Sequence, residues 1–212
     1  MKIKVCGLKD PDNIEAIAAL NPDYMGFICY DVSPRFIADM PADITEALPE
    51  SINKTAVFVD EDEETIEALI YKFGFNTIQL HGDESPEFTS YFKHRVTVIK
   101  AFGLEKDFDF EQLNEYVGKV DYFLFDTKTD LHGGSGKSFD WDILANYKLN
   151  TPFFLSGGLC LDNLEEVKNI THPKFYGVDL NSRFETAPGL KDIEKLKQAF
   201  NMLKDNKNEV RS

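Results

Sequence analysis

The chain has 212 residues, of which 42% are hydrophobic and 28% charged, and a formal net charge of −14. This is the composition of a globular protein long enough to bury a substantial core. So large an acidic excess argues against nucleic acid and anionic membrane as partners, since both are gripped by clustered Lys and Arg, yet it permits an anionic small molecule in a locally positive cleft.

In chain order, short runs of β-branched and aromatic residues predict strands over 3–6, 24–29, 54–59, 77–80, 96–102, 122–125, 153–156 and 175–180. Segments of helical period predict helices over 12–20, 42–48, 63–73, 86–92, 109–117, 140–145, 162–169 and 192–203, several opened by the Asp or Pro that a first turn prefers. Eight strand-then-helix units of about 26 residues fit a compact α/β single-domain (β/α)8 TIM barrel, a fold of about 250 residues that can be as short as about 200. An open doubly wound sheet needs fewer strands and usually a Gly-rich fingerprint after the first, which Cys6-Gly-Leu-Lys9 is not. Without a linker or composition break, residues 1–204 read as the barrel and the polar segment 205–212 as a tail that frays. The acidic run 60–64 reads as a solvated helix start.

No apolar stretch approaches the roughly 18 residues that span a bilayer, and no signal-peptide pattern precedes the first strand. The three cysteines, Cys6, Cys29 and Cys160, cannot all pair and show no metal-type clustering, so the expectation is a reducing cytoplasm and no metal.

Barrel chemistry sits at the carboxyl ends of the strands, so function is to be read in eight short junctions. The first is Lys4-Val-Cys-Gly7. Lys4 and Cys6 share one face of a strand, and an ammonium there favours the thiolate of a candidate base or nucleophile over the thiol; the competing reading is a small apolar residue that happens to be cysteine. The seventh and eighth junctions, Ser156-Gly-Gly-Leu159 and Gly177-Val-Asp-Leu-Asn-Ser-Arg183, are Gly-rich or polar. Glycines between strand and helix expose N–H groups to an approaching anion, and these two loops are where barrels commonly hold phosphate; the alternative is that Gly157 and Gly158 merely make tight turns. Asp126 closes the apolar run Tyr122-Phe-Leu-Phe-Asp126, where desolvation would raise its pKa and suit it to donate a proton, against a role in capping a helix. Gly133-Gly-Ser-Gly136 lacks the Gly-Lys-Ser/Thr of a P-loop and fits a flexible lid better.

Taken in order, Lys4-Val-Cys-Gly-Leu8, Gly26-Phe-Ile28, Ser33-Pro-Arg35, Val57-Phe-Val59, Gln79-Leu-His-Gly82, Asp126, Gly133-Gly-Ser-Gly136, Phe139-Asp-Trp141, Ser156-Gly-Gly-Leu159, Gly177-Val-Asp179 and Pro188-Gly-Leu-Lys-Asp192 resemble the phosphoribosylanthranilate isomerases of tryptophan biosynthesis over residues 2 to about 192. The resemblance implies a cofactor-independent Amadori rearrangement of a phosphosugar, with Cys6 as general base and Asp126 as general acid. It implies that Arg35 takes the anthranilate carboxylate, that Gln79, His81 and Asp179 line the substrate site, and that Gly157, Gly158, Asn181 and Ser182 hold the phosphate. If Lys4 and the first turn stabilise the thiolate, the proton shared between base and acid resides on Asp126.

The chain departs from the family pattern at Asn181-Ser-Arg-Phe-Glu185, where Ser-Ser-Gly-Val-Glu is more usual; Arg183 either points outward or adds a contact to the phosphate. A histidine-pathway isomerase doing the same chemistry resembles the chain less, since that family uses two aspartates. A catalytically silent phosphometabolite-binding barrel would need neither Cys6 nor Asp126. A monomer and a homodimer are equally compatible with the sequence.

Overall fold

The computed structural model describes residues 1–38, 40–127 and 141–204. Eight parallel strands form a closed barrel in sequence order: β1 (Lys2–Cys6), β2 (Tyr24–Ile28), β3 (Asn53–Phe58), β4 (Thr77–Leu80), β5 (Thr97–Leu104), β6 (Tyr122–Thr127), β7 (Phe153–Ser156) and β8 (Phe175–Leu180). β8 returns to pair with β1, placing Lys4 beside Asp179. β5 and β6 run further than their apolar segments suggest, because Gly103 pairs with Asp126 across them; Asp126 therefore belongs to the strand rather than to the loop after it.

Period-two alternation sorts the side chains. On β1, Ile3 and Val5 enter the apolar layer between barrel and helices, while Lys4 and Cys6 face inward. A second apolar cluster fills the amino end of the barrel: Tyr24, Ile99, Ala101, Leu124 and Phe154, with Tyr122 and Tyr176 packed against it. The rings of Tyr24, Tyr122, Phe154 and Tyr176 meet mostly edge to face at centroid separations of 4.6 to 6.5 Å, an arrangement favoured by the ring quadrupoles. This aromatic plug fills the barrel interior at that end.

The outer layer holds α1 (Pro11–Ala18), α2 (Asp43–Glu46), α3 (Glu63–Phe73), α4 (Pro86–Phe92), α5 (Leu164–Val167) and α6 (Ile193–Lys204). Asp10, Asp62 and Ser85 accept N-cap hydrogen bonds from Asn13, Thr65 and Phe88, and Gly74 ends α3 at φ 59°. The helix expected over 109–117 is instead a 3₁₀-helix, Phe110–Tyr116. Its buried residues, Phe110 and Leu113, are three apart, and the side chains of Gln112 and Asn114 take the carbonyls of Asp109 and Glu111 that α-helical turns would use. A second 3₁₀-helix, Trp141–Asn146, stands where an α-helix was expected, and α2 and α5 are single turns.

A small antiparallel hairpin after β8 has no counterpart in the sequence reading: β9 (Glu185–Ala187) and β10 (Leu190–Lys191), joined through Pro188 and Gly189. Asp39, the Gly133–Gly136 segment, Phe139, Asp140 and the tail 205–212 lie outside the described residues. Among the described residues no helix is long and apolar enough to cross a membrane.

Candidate active site

Every candidate residue sits on or just beyond the carboxyl half of a strand. Cys6 ends β1, Arg35 lies in the loop after β2, Gln79 is in β4 with His81 just past it, and Asp126 is near the end of β6. Ser156 ends β7 ahead of Gly157 and Gly158, while Asp179 near the end of β8 precedes Asn181 and Ser182. A cavity of about 110 Å³ opens between the last two junctions, lined by Asp126, Gly157, Gly158, Asp179, Ser182 and Arg183 among others. A larger one of about 520 Å³, among Trp141, Glu166 and His172, belongs to the helical flank, so chemistry rather than size marks the site.

The inward faces of β1 and β8 carry a buried charge pair. Lys4 Nζ donates to Asp179 Oδ2 at 2.8 Å, with the two side chains 0% and 4% exposed. Burial opposes the Lys4 charge, but the neighbouring Asp179 and Cys6 outweigh it and hold Lys4 above its ordinary pKa. The other carboxyl oxygen of Asp179, Oδ1, is buried with no hydrogen-bond partner. An unmet acceptor at the floor of a polar cavity is suited to a ligand hydroxyl.

Cys6 is buried against Gly26, whose missing side chain makes room for the sulfur. Burial raises the thiol pKa, and Lys4 and Lys191 pull it down by less. From the sequence, Lys4 on the same face favours the thiolate; the closed wall around Cys6 outweighs that influence, so the resting protein holds the thiol. Asp126 stands at the rim with its side chain 37% exposed. Asp179 lies within the electrostatic reach of both, adding a repulsion to the Cys6 anion and receiving one from Asp126.

His81 joins Asp126 to the interior. Gln79 Nε2 stands 3.0 Å from His81 Nδ1, and His81 Nε2 stands 3.6 Å from Asp126 Oδ2, close for charges but long for a hydrogen bond. With the amide donating to Nδ1, the ring presents Nε2–H to the carboxylate. The loop carrying His81 is pinned from outside the barrel. Lys100 Nζ donates to the Gly82 carbonyl at 2.7 Å and pairs with Glu84 at 3.1 Å, and Glu84 accepts from the N–H groups of Gly82 and Asp60.

Gly157 and Gly158 adopt φ of 85° and 61° in succession, a left-handed path that side chains oppose. Asn163 holds that turn closed by donating to the Gly158 carbonyl and accepting from Cys160 N–H. The regular helix beyond starts only at Leu164 and is four residues long, so the helix end expected to face an anion here is not what the turn presents.

Arg35 crosses over Gly7, where an added Cβ would stand 2.7 Å from both Arg35 Cδ and Asn181 Oδ1. Its guanidinium already holds a carboxylate of this chain: Nε and Nη2 grip Glu185 at 2.9 and 2.6 Å. Lys191 Nζ completes the group, donating to Glu185 at 2.6 Å and to Asn181 at 2.7 Å. Sequence reasoning missed Glu185 and Lys191. The signal was present in an acid and a base flanking a Pro-Gly turn, the pattern of a hairpin with a cross-strand ion pair.

Fold and rim together define a single-domain (β/α)8-barrel enzyme with its chemistry at the carboxyl ends of the strands. The sequence profile of the N-(5'phosphoribosyl)anthranilate (PRA) isomerases matches residues 3–202. The N-(5'-phosphoribosyl)anthranilate isomerase of Parabacteroides distasonis is 48% identical over 203 residues, spanning 93% of this chain and 90% of the relative. The crystal structure of phosphoribosyl anthranilate isomerase from Thermotoga maritima superimposes with a TM-score of 0.85 at 32% identity, covering 95% of this chain and 98% of that one. A further isomerase, solved in complex with reduced 1-(o-carboxyphenylamino)-1-deoxyribulose 5-phosphate, gives a TM-score of 0.81 at 28% identity over 95% of this chain and 97% of its own. The chain belongs to the N-(5′-phosphoribosyl)anthranilate isomerase family, enzymes of tryptophan biosynthesis.

Proposed function

We propose that Cys6 is the general base and Asp126 the general acid of an Amadori rearrangement converting N-(5′-phosphoribosyl)anthranilate into 1-(2-carboxyphenylamino)-1-deoxyribulose 5-phosphate. The reacting form is the minor one in which Cys6 is the thiolate and Asp126 carries the proton: Asp126 delivers it to the furanose ring oxygen, the C1–O bond breaks, and the nitrogen lone pair forms the C1–N double bond of a Schiff base. Cys6 as thiolate removes the proton from C2, and the C2–H electrons move toward the iminium to leave an enolamine. Tautomerisation then gives the ketone. Proton transfer by positioned side chains contributes about 10²- to 10⁴-fold each.

The observation that carries the reading is the buried row of Lys4, Cys6 and Asp179 on the inner wall facing the rim that holds Asp126. Lys4 offsets part of the desolvation of the sulfur anion, so a minor thiolate population is available inside a closed wall where it is a strong base. Oδ1 of Asp179 accepts a ribose hydroxyl, Arg35 binds the anthranilate carboxylate in the manner its planar fork favours, and Gln79 and His81 line the ring. Gly157, Gly158, Asn181 and Ser182 hold the phosphate, with the backbone of the left-handed turn approaching it closely. The presence of reduced product in a solved relative supports this assignment of ligand class.

The test follows loss of phosphoribosylanthranilate fluorescence in wild type, Cys6→Ala and Asp126→Asn. Both variants should lose turnover by at least about 10²-fold while still binding the reduced product. Unchanged turnover in either removes that residue from the mechanism.

A further inference from the structure

Arg35 has five N–H donors in one rigid plane. Glu185 takes the side of that plane: Oε1 lies 2.9 Å from Nε, and Oε2 lies 3.1 Å from Nε and 2.6 Å from Nη2. What remains is the end of the fork, Nη1 with the second proton of Nη2, which is itself a two-pronged site for a carboxylate.

Glu185 is in turn held in place. Its side chain is 5% exposed, and Oε1 also accepts from Lys191 Nζ at 2.6 Å and Gly189 N–H at 3.2 Å. Lys191 is fixed at its backbone by Asn13 of α1, which accepts from its N–H at 2.8 Å and donates to its carbonyl at 2.9 Å. The arginine loop is tied independently, since Lys9 Nζ donates to the Pro34 carbonyl at 2.7 Å. Arg35 and Lys191 set two basic groups against the single carboxylate of Glu185, and burial draws the Lys191 pKa below its ordinary value while Glu185 pulls it partly back up. Arg35 and Lys191 hold Glu185 below the ordinary carboxylate range against the effect of its burial, so it is ionised at neutral pH.

We propose that Glu185, seated on Lys191, is the positioning residue that aims the Arg35 fork, presenting its Nη1/Nη2 end to the carboxylate of the arylamine. The inference rests on Arg35 as the carboxylate ligand. An unrestrained arginine would lose rotamer freedom when it met a ligand; this one is already ordered by four donors converging on a single acid, so recognition proceeds on a preformed fork.

The test compares two ligands: the reduced product, and the same compound without its ring carboxylate. Dissociation constants are measured for wild type, Arg35→Ala, Glu185→Gln and Glu185→Asp. Because the ratio of the two constants is read on folded protein alone, loss of stability in a variant does not mask the answer. Wild type should prefer the carboxylate ligand, and Arg35→Ala should abolish the preference. Glu185→Gln, whose amide keeps one acceptor and turns an N–H toward the guanidinium, should cut the preference about tenfold while binding the other ligand within about twofold of wild type. Glu185→Asp should fall between, and in steady state Glu185→Gln should raise KM more than it lowers kcat. The proposal is overturned if Glu185→Gln keeps the wild-type ratio, if it weakens both ligands equally, or if the ratio rises, which would make Glu185 a competitor for the fork. A wild type with no preference shows instead that Arg35 is not the carboxylate ligand, and the proposal falls with that reading.

Discussion

Gly26→Ala probes the placement of the Cys6 sulfur without touching a reacting group. The new Cβ would stand 2.6 Å from Cys6 Sγ and 3.1 Å from Cys6 Cα and Cβ, where ordinary contact begins at 3.4 Å. The strands cannot part to make room, because the N–H groups of Gly7 and Leu8 both donate to the Gly26 carbonyl, at 2.9 and 3.0 Å. Gly26 is not among the positive-φ positions, so its backbone accepts alanine and the strain falls on the buried sulfur. Recovering contact distance means displacing Sγ by about 0.8 Å, an overpacking that costs about 1–3 kcal/mol of stability. A base misplaced by about 1 Å loses on the order of 10²-fold in rate. The expected result in the fluorescence assay is kcat/KM down by about 10²-fold with a folded protein of lower Tm. A Gly26→Ala enzyme turning over within twofold of wild type would refute the argument that the sulfur works from this position.

Lys4→Met removes the cation that offsets burial at Cys6. The thiol pKa then rises further, so the thiolate fraction at a given pH falls and kcat/KM near neutral pH should fall with it; an unchanged kcat/KM would detach Lys4 from the thiol. The same change leaves Asp179 buried without its lysine, so unfolding free energy should fall by about 3–5 kcal/mol in denaturant titration. Arg183 is exposed at the cavity that Gly157, Gly158 and Ser182 line, and Arg183→Ala should raise KM severalfold at low salt and less at high salt, as expected for a solvent-screened contact to phosphate; a salt-independent KM would place its charge outside the site. Gly74→Ala puts a Cβ at φ 59° with Lys54 Nζ 3.5 Å away, so thermal unfolding should show a loss of about 1–2 kcal/mol from backbone strain alone, with turnover unaltered.

Much of this protein is legible along the chain because the relevant physics is local. Strands such as Thr77–Leu80 and Phe153–Ser156 are short apolar runs bounded by turn residues, and their boundaries are the same in sequence and structure. Helices announced by a cap and a strong period, such as Glu63–Phe73, fall where expected. Helices with weaker sidedness, such as 109–117, shrink or tighten because only packing could have extended them. Once eight strands close into a barrel, their carboxyl ends are necessarily neighbours, so Cys6, Asp126, Gly157 and Asp179 could be assigned to one rim from order alone.

Tertiary structure decided what depends on distance through space. Lys4 meets Asp179 from 175 residues away, and Arg35 meets Glu185 from 150; neither pairing has a local cause. Burial, which no single residue carries, keeps the proton on Cys6 where its neighbour in sequence argued for the thiolate. Sequence determined which groups stand at the mouth of the barrel, since alternation and turn chemistry act over a few residues. The fold determined how those groups are charged and aimed, because desolvation and ion pairing are properties of the assembled wall.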